Sequence, residues 1–465
     1  MMFNSATFLF LFLPAFLTCF FLMREERRRR VVLLGGSVLF YIWSEPVYFF
    51  CFVASALADW LLVRGYDWER TRRYKRALLV AGIVNNIGFL AVVKYLGFFT
   101  RNVNEVFSWF GPVRLPVVDI LLPIAISFVV FEKITYLVDT YSGKSAPCPK
   151  FRQFLTYVFY FPKLLAGPII KYHDIREQLL HPRVTTESVY YGAARFTLGM
   201  FKKAVLADSL APMVDKVFGD AGHIDFQTAW VGALAFAFQI YFDFSGYSDM
   251  AIGISSILGV RLLENFNLPY WSWSITEFWR RWHISLTSWI REYLYIPLGG
   301  NRVSPTRTLA NLWICFLISG LWHGARWTFI AWGGYHGALL CWERIRPERW
   351  VKPPRVLKVA LTFYLVLIGW VFFRSESFGD AFRFLKAMHS LSPSASGFFL
   401  IYKPGYAWGL LLLAGLVAGV EGVGRIPQPR SAWAIPFSGL CLGLFILCCG
   451  CIVSSDFHPF LYFRF

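Results

Sequence analysis

Apolar runs of spanning or near-spanning length recur along the whole of this 465-residue sequence: Phe3–Met23, Ala77–Phe99, Val118–Tyr141, Trp230–Val260, Ala360–Phe373, Tyr406–Val420 and Ala432–Val453. A helix needs roughly 17–25 apolar residues to cross a bilayer. In hydrocarbon it must also satisfy every backbone N–H and C=O internally. That pattern predicts an all-α polytopic membrane protein. Composition agrees, since 19% of residues are aromatic and only 16% charged, against about a quarter charged in a soluble chain.

The net charge of +18 does not indicate nucleic-acid binding, because the basic residues cluster in short loops between apolar runs. There they orient a membrane protein by the positive-inside rule. Arg24 and Arg27–Arg30 place the first loop in the cytoplasm, and Arg64–Arg76 does the same for a second. The two short runs between them must form a hairpin, turning near Glu45-Pro46. The first run has no basic residues before it and no small-residue cleavage site after it, so it reads as a retained span rather than a signal peptide. Further basic loops at Lys144–Arg152, Glu343–Lys358 and Arg425–Arg430 put both termini on the outer face. The nine cysteines follow no metal or disulfide spacing, and four of them lie inside the last apolar run.

Residues 151–345 thread less simply, because proline, glycine and charge interrupt the apolar runs. Such segments reach membrane depth only where protein or a water-filled cavity satisfies their backbone, so re-entrant or tilted helices are expected here. One stretch, FWRRWHISLTSWIREYLYIPLGGNR (278–302), sets Arg280, Arg281 and His283 among Trp279, Trp282 and Trp289. Helical spacing would put His283 on one face with Trp279 and Arg280. Guanidinium beside indole suits an anionic, partly planar ligand, although the same residues can simply anchor a helix at the headgroups. A second stretch, SGLWHGARWTFIAWGGYHG (319–337), follows an apolar run, so His323 is expected at membrane depth. A histidine there is a functional candidate and a possible general base; the alternative is a buried structural imidazole. In QIYFDFSGYSDMAIG (239–253), Asp243 and Asp249 read as interhelical hydrogen-bonding groups, and Glu132 with Lys133 as a mutually compensating pair.

Together with FPKLLAGPI (161–169) and LPIAISFVVFEKITYLVDTYSG (122–143), these stretches resemble the membrane-bound O-acyltransferase (MBOAT) family over roughly residues 5–375. The resemblance is strongest to the branch that O-acetylates exopolysaccharides such as alginate, a relative of the branch that transfers D-alanine to teichoic acid. It implies one membrane domain over 1–465, with about ten to twelve helices, some re-entrant, around a tunnel with a funnel on each face. The catalytic motifs would occupy 278–337, and an outer aromatic tail 454–465. His323 matches the family's essential histidine and His283 its other frequently retained polar position. The donor implied is acetyl-CoA from the cytoplasm, with no permanently bound cofactor or metal; given that donor, we place Trp279, Arg280, Arg281 and Trp282 on its side from their own chemistry.

The tail ends HPFLYFRF and is similar to a short aromatic motif whose tyrosine accepts the acyl group, which puts Tyr462 in a carrier role. An interfacial aromatic anchor is the competing reading. A separate serine esterase-like acetyltransferase, periplasmic or extracellular, would complete delivery to the polysaccharide. The expected location is the bacterial cytoplasmic (inner) membrane, among its lipids. Two other functions compete: transfer of D-alanine or another acyl group from a carrier protein to a different envelope polymer, and non-enzymatic polysaccharide export. The sequence names neither the polymer, the partner nor the oligomeric state.

Overall fold

The computed structural model describes residues 1–67, 71–112, 114–118, 120–165, 167–345, 353–391, 398–420, 426–454 and 459–461. Among these residues the regular structure is helical throughout, without a strand. Contacts divide the chain into two compact units, 1–196 with 250–263, and 197–249 with 264–465.

The first unit is built on α1 (Phe8–Leu22), α2 (Glu26–Ser44), α3 (Pro46–Arg64) and α4 (Arg72–Ser108), followed by α5 (Ile126–Tyr141), α6 (Phe151–Phe159) and α7 (Tyr172–Leu180). The expected hairpin forms where the sequence placed it. Glu45 separates α2 from α3, and Pro46 opens α3 at the first position, where its missing N–H costs nothing. The run Val118–Tyr141 is only partly helical, because α5 begins at Ile126. Pro116 and Pro123 disfavour helix in the residues before them, and residues 114–118 and 120–123 form no regular element. Side chains take up the backbone groups of Ile124: Glu45 accepts its N–H at 3.2 Å, and Tyr41 donates to its carbonyl at 3.3 Å. Phe8, Phe12, Phe16 and Phe40 pack around Phe161 as a continuous ring cluster.

Buried charge in this unit is paired between helices. Glu132 and Lys133 do not compensate each other, as side chains one residue apart on a helix diverge. Lys133 instead meets Asp59 of α3 at 3.1 Å and the Ser55 hydroxyl at 2.5 Å, while Glu132 is bound by Lys163. Asn85 and Asn86 of α4 donate to the same Asp59, at 3.0 and 2.8 Å. Outward, the polarity reverses: Leu39, Trp43, Val47 and Phe50 are exposed, as lipid contact requires.

The second unit contains α9 (Asp208–Gly219), then α10 (Phe226–Ile257), which follows α8 (Thr186–Met200) in chain order; both α8 and α10 contribute residues to each unit. Two short helices, α11 (Ile275–Arg281) and α12 (Ile284–Ile290), precede an antiparallel hairpin of α13 (Pro305–His323) and α14 (Trp327–Ile345). The remaining helices are α15 (Arg355–Arg374), α16 (Phe378–His389), α17 (Pro404–Val420) and α18 (Ala434–Ser454). The hairpin is tight because Gly320 and Gly333 face each other. A Cβ on either would overlap a carbonyl oxygen of the opposite helix, Phe329 or Phe316. Among the described residues, α3, α4, α15 and α18 are long and apolar enough to cross a membrane, and α1 and α17 are shorter apolar helices.

Breaking one buried pair tests this account. Lys163→Met strands the Glu132 carboxylate and is expected to lower stability by about 3–5 kcal/mol, whereas adding Glu132→Gln restores most of it. Thermal unfolding of the purified variants in detergent reads both outcomes.

Candidate active site

The candidate residues of 278–337 fall in the second unit, and most converge there. His283 is not on a helix with Trp279 and Arg280. α11 ends at Arg281, Trp282 is extended, and His283 has φ 45° and ψ 54° before α12 begins. A non-glycine residue in the left-handed region is strained, and such residues concentrate at functional sites. Asn265 holds the corner. Its carbonyl accepts the Ile284 N–H at 2.9 Å, and its side-chain Oδ1 accepts the Ser285 N–H and hydroxyl at 3.2 and 2.9 Å. The same Oδ1 lies 3.1 Å from His283 Nδ1. An oxygen that already accepts from Ser285 fixes the tautomer, so Nδ1 carries the proton and Nε2 presents a lone pair. Nε2 is buried and has no hydrogen-bond partner among the described residues.

His323 is the last residue of α13 and is 5% exposed. Its ring meets Trp332 edge-on at 5.0 Å and Phe373 at 5.2 Å. Trp322 bridges the two imidazoles, with its ring 6.1 Å from His283 and 4.9 Å from His323. A third imidazole, His336 of α14, is fully buried among Phe278, Trp279 and Trp332, with both ring nitrogens unpartnered among the described residues. It fits only because residue 369 of α15 is glycine, where a Cβ would stand 2.6 Å from His336 Nε2. The indole N–H groups of Trp279 and Trp332 are likewise buried without partners among the described residues. Buried polar atoms are nearly always paired, so this many unpaired ones in one aromatic nest single it out as the candidate site among the described residues.

The four donor-side candidates separate. Trp279 and Trp282 are buried in the nest, Arg280 is exposed, and Arg281 is held by Glu277 at 2.6 Å. Tyr462 lies outside the described residues, but Phe460 and Leu461 just before it are buried. The Leu461 N–H donates to Asp243 Oδ2 at 2.7 Å, and Lys203 lies 2.6 Å from the other carboxylate oxygen. Lys203 also meets Asp208 at 2.7 Å, and Asp249 is bound by Lys202. Asp243 thus does more than hold helices together. The Phe460 ring contacts Tyr247 at 4.8 Å and Phe244 at 5.6 Å, and Phe244 stands edge-on to His283 at 4.6 Å. A run of ring contacts therefore leads from the tail through Phe244, His283 and Trp322 to His323.

Sequence reasoning assigned no part to Asn265, Lys203 or His336. Asn265 sits in an unremarkable ENFNLPY segment. The two lysines of FKKAVLADS carried a signal, since buried lysines in an apolar run require carboxylates nearby.

Comparison with known proteins agrees with these motifs. Residues 145–378 match the profile of MBOAT, the membrane-bound O-acyltransferase family. The chain is 42% identical over 443 residues to a probable alginate O-acetylase of Azotobacter vinelandii, covering 94% of this chain and 87% of that protein. It is 35% identical to a peptidoglycan O-acetyltransferase of Helicobacter pylori, covering 84% and 80%, and 23% identical to a teichoic acid D-alanyltransferase of Bacillus subtilis, covering 55% and 69%.

Replacing Asn265 by alanine removes the acceptor shared by His283 and Ser285. With those donors left buried and unmatched, a loss of about 1–3 kcal/mol is expected, read as a lower unfolding temperature in detergent.

Proposed function

Since the chain belongs to the membrane-bound O-acyltransferase family, we propose that it takes acetyl groups from cytoplasmic acetyl-CoA and passes them across the membrane for O-acetylation of an exopolysaccharide, alginate in the first instance. The acetylating relatives match most of the chain, whereas the D-alanyl-transferring one matches about half, which favours acetyl over D-alanine. The observation that carries the mechanism is the run of ring contacts from the tail to His323.

In this reading His323 is the general base. It takes the proton from an attacking hydroxyl as that oxygen bonds to the thioester carbonyl, and the thiolate of coenzyme A departs and is reprotonated. His283 assists through its Nε2 lone pair, with Asn265 holding the tautomer. The unpaired indole N–H groups of Trp279 and Trp332 are donors of the kind that stabilise developing oxyanion charge. Trp279 and Trp282 line the donor side, and Arg280 is the guanidinium available to a phosphate.

The first acceptor proposed is the Tyr462 phenol. Support comes from its chain neighbours: Phe460 and Leu461 are buried, and Asp243 grips the Leu461 amide. A phenyl acetate is a reactive ester, able to hand its acetyl to a serine of an outer esterase-like partner and thence to the polymer. Both termini then face outward, and the membrane is the bacterial inner one.

Two substitutions test the reading. His323→Ala is expected to lower acetyl transfer by about 10²–10⁴-fold, measured as release of coenzyme A by protein in vesicles; unchanged release would refute the enzyme assignment. Tyr462→Phe keeps the packing and deletes the hydroxyl. Loss of polymer acetylation, with ester content measured on secreted polysaccharide, is expected; a normal ester content would remove the carrier role and leave the enzyme standing.

A further inference from the structure

The first unit contains a cavity of about 110 Å³ lined by none of the residues assigned above to acyl transfer. Arg27 and Arg30 of α2, Arg152 of α6 and Arg176 of α7 all line it, and among the described residues no carboxylate does. Some of this charge is only partly answered. Arg30 donates to the Leu180 carbonyl at 2.5 Å and lies 3.9 Å from the largely exposed Glu26, and Arg176 reaches the largely exposed Glu177 at 3.0 Å. Arg176 Nε, however, is buried and has no partner among the described residues. Four guanidiniums around one space repel one another, so the cavity favours an anion. Their planar forks suit phosphate oxygens in particular.

The rest of the lining decides what carries that anion. Val31 and Leu34, on α2 directly after Arg30, form an apolar wall together with Leu179 and Leu180. Val31 is 60% exposed, and the exposed apolar surface continues along the same helix through Leu39 and Trp43. The arginines thus stand where α2 changes from a basic to an apolar outer surface, which is the level of lipid headgroups. A phosphate tethered to hydrocarbon chains satisfies both parts of the lining; a free phosphate satisfies only one.

We propose that this cavity binds the phosphate headgroup of an anionic phospholipid, its acyl chains lying along Val31 and Leu34. The test uses the full chain purified in detergent, with phosphatidylglycerol, phosphatidylcholine, glycerol 3-phosphate and coenzyme A added separately. Lipid retained by native mass spectrometry and the shift in unfolding temperature are both read. Phosphatidylglycerol alone should be retained and protective. Arg152→Gln and Arg176→Gln should each weaken its retention roughly fivefold, as expected for one basic side chain at a headgroup. Arg27→Gln, an exposed position, supplies the same reading should either of those variants fail to fold. Arg73→Gln, outside the cavity, should have no effect. Equal retention of phosphatidylcholine would overturn the proposal. So would equal protection by glycerol 3-phosphate or coenzyme A, which would assign the cavity to a soluble phosphate, or an equal loss in Arg73→Gln, which would reduce the effect to diffuse surface charge.

Discussion

Lys133, Lys163, Lys202 and Lys203 are nearly inaccessible to solvent, and a carboxylate holds each of them: Asp59, Glu132, Asp249, and Asp243 with Asp208. In surroundings of low dielectric constant an isolated ammonium or carboxylate would be prohibitive, so neither member of a pair can be there without the other. Such pairs add little net stability compared with apolar packing, but they penalise every arrangement that separates them. They therefore act as register pins for helices whose greasy outer faces would otherwise slide. Lys203 pins helices and, through Asp243, also fixes the position of a backbone amide near the end of the chain.

Around that framework the site is assembled from shape. The Gly320–Gly333 contact brings α13 and α14 close enough for His323, Trp332 and His336 to share one aromatic nest, and Gly369 leaves room for the third imidazole. Aromatic rings supply nearly all the walls. They exclude water without offering hydrogen bonds, which leaves the few nitrogens inside them chemically conspicuous.

Much of this was legible in the sequence, and the parts that were not share a cause. The spans, the turn at Glu45-Pro46 and the motifs around His283 and His323 are local patterns that one stretch of chain carries by itself. Pairings depend on which helix lies opposite, and no local pattern reports that. Glu132 and Lys133 are adjacent in sequence and so invite being matched, yet helix geometry sends them to Lys163 and Asp59. His283 failed for a related reason: a helical reading of FWRRWHIS is reasonable residue by residue, but Asn265, 18 positions earlier, bends the chain at the histidine. Asn265 itself gave no warning, because an asparagine becomes chemically significant only through what it is placed against.

The backbone at His283 has a further consequence. Glycine or asparagine would occupy φ 45°, ψ 54° with less strain, so the backbone alone favours either of them over histidine there. The imidazole is kept against that preference, at a cost on the order of 1 kcal/mol. Glycine there would relieve the backbone but remove the ring that packs against Phe244 and Trp322 and bonds to Asn265, so the strain of the corner and the contacts of the imidazole oppose each other.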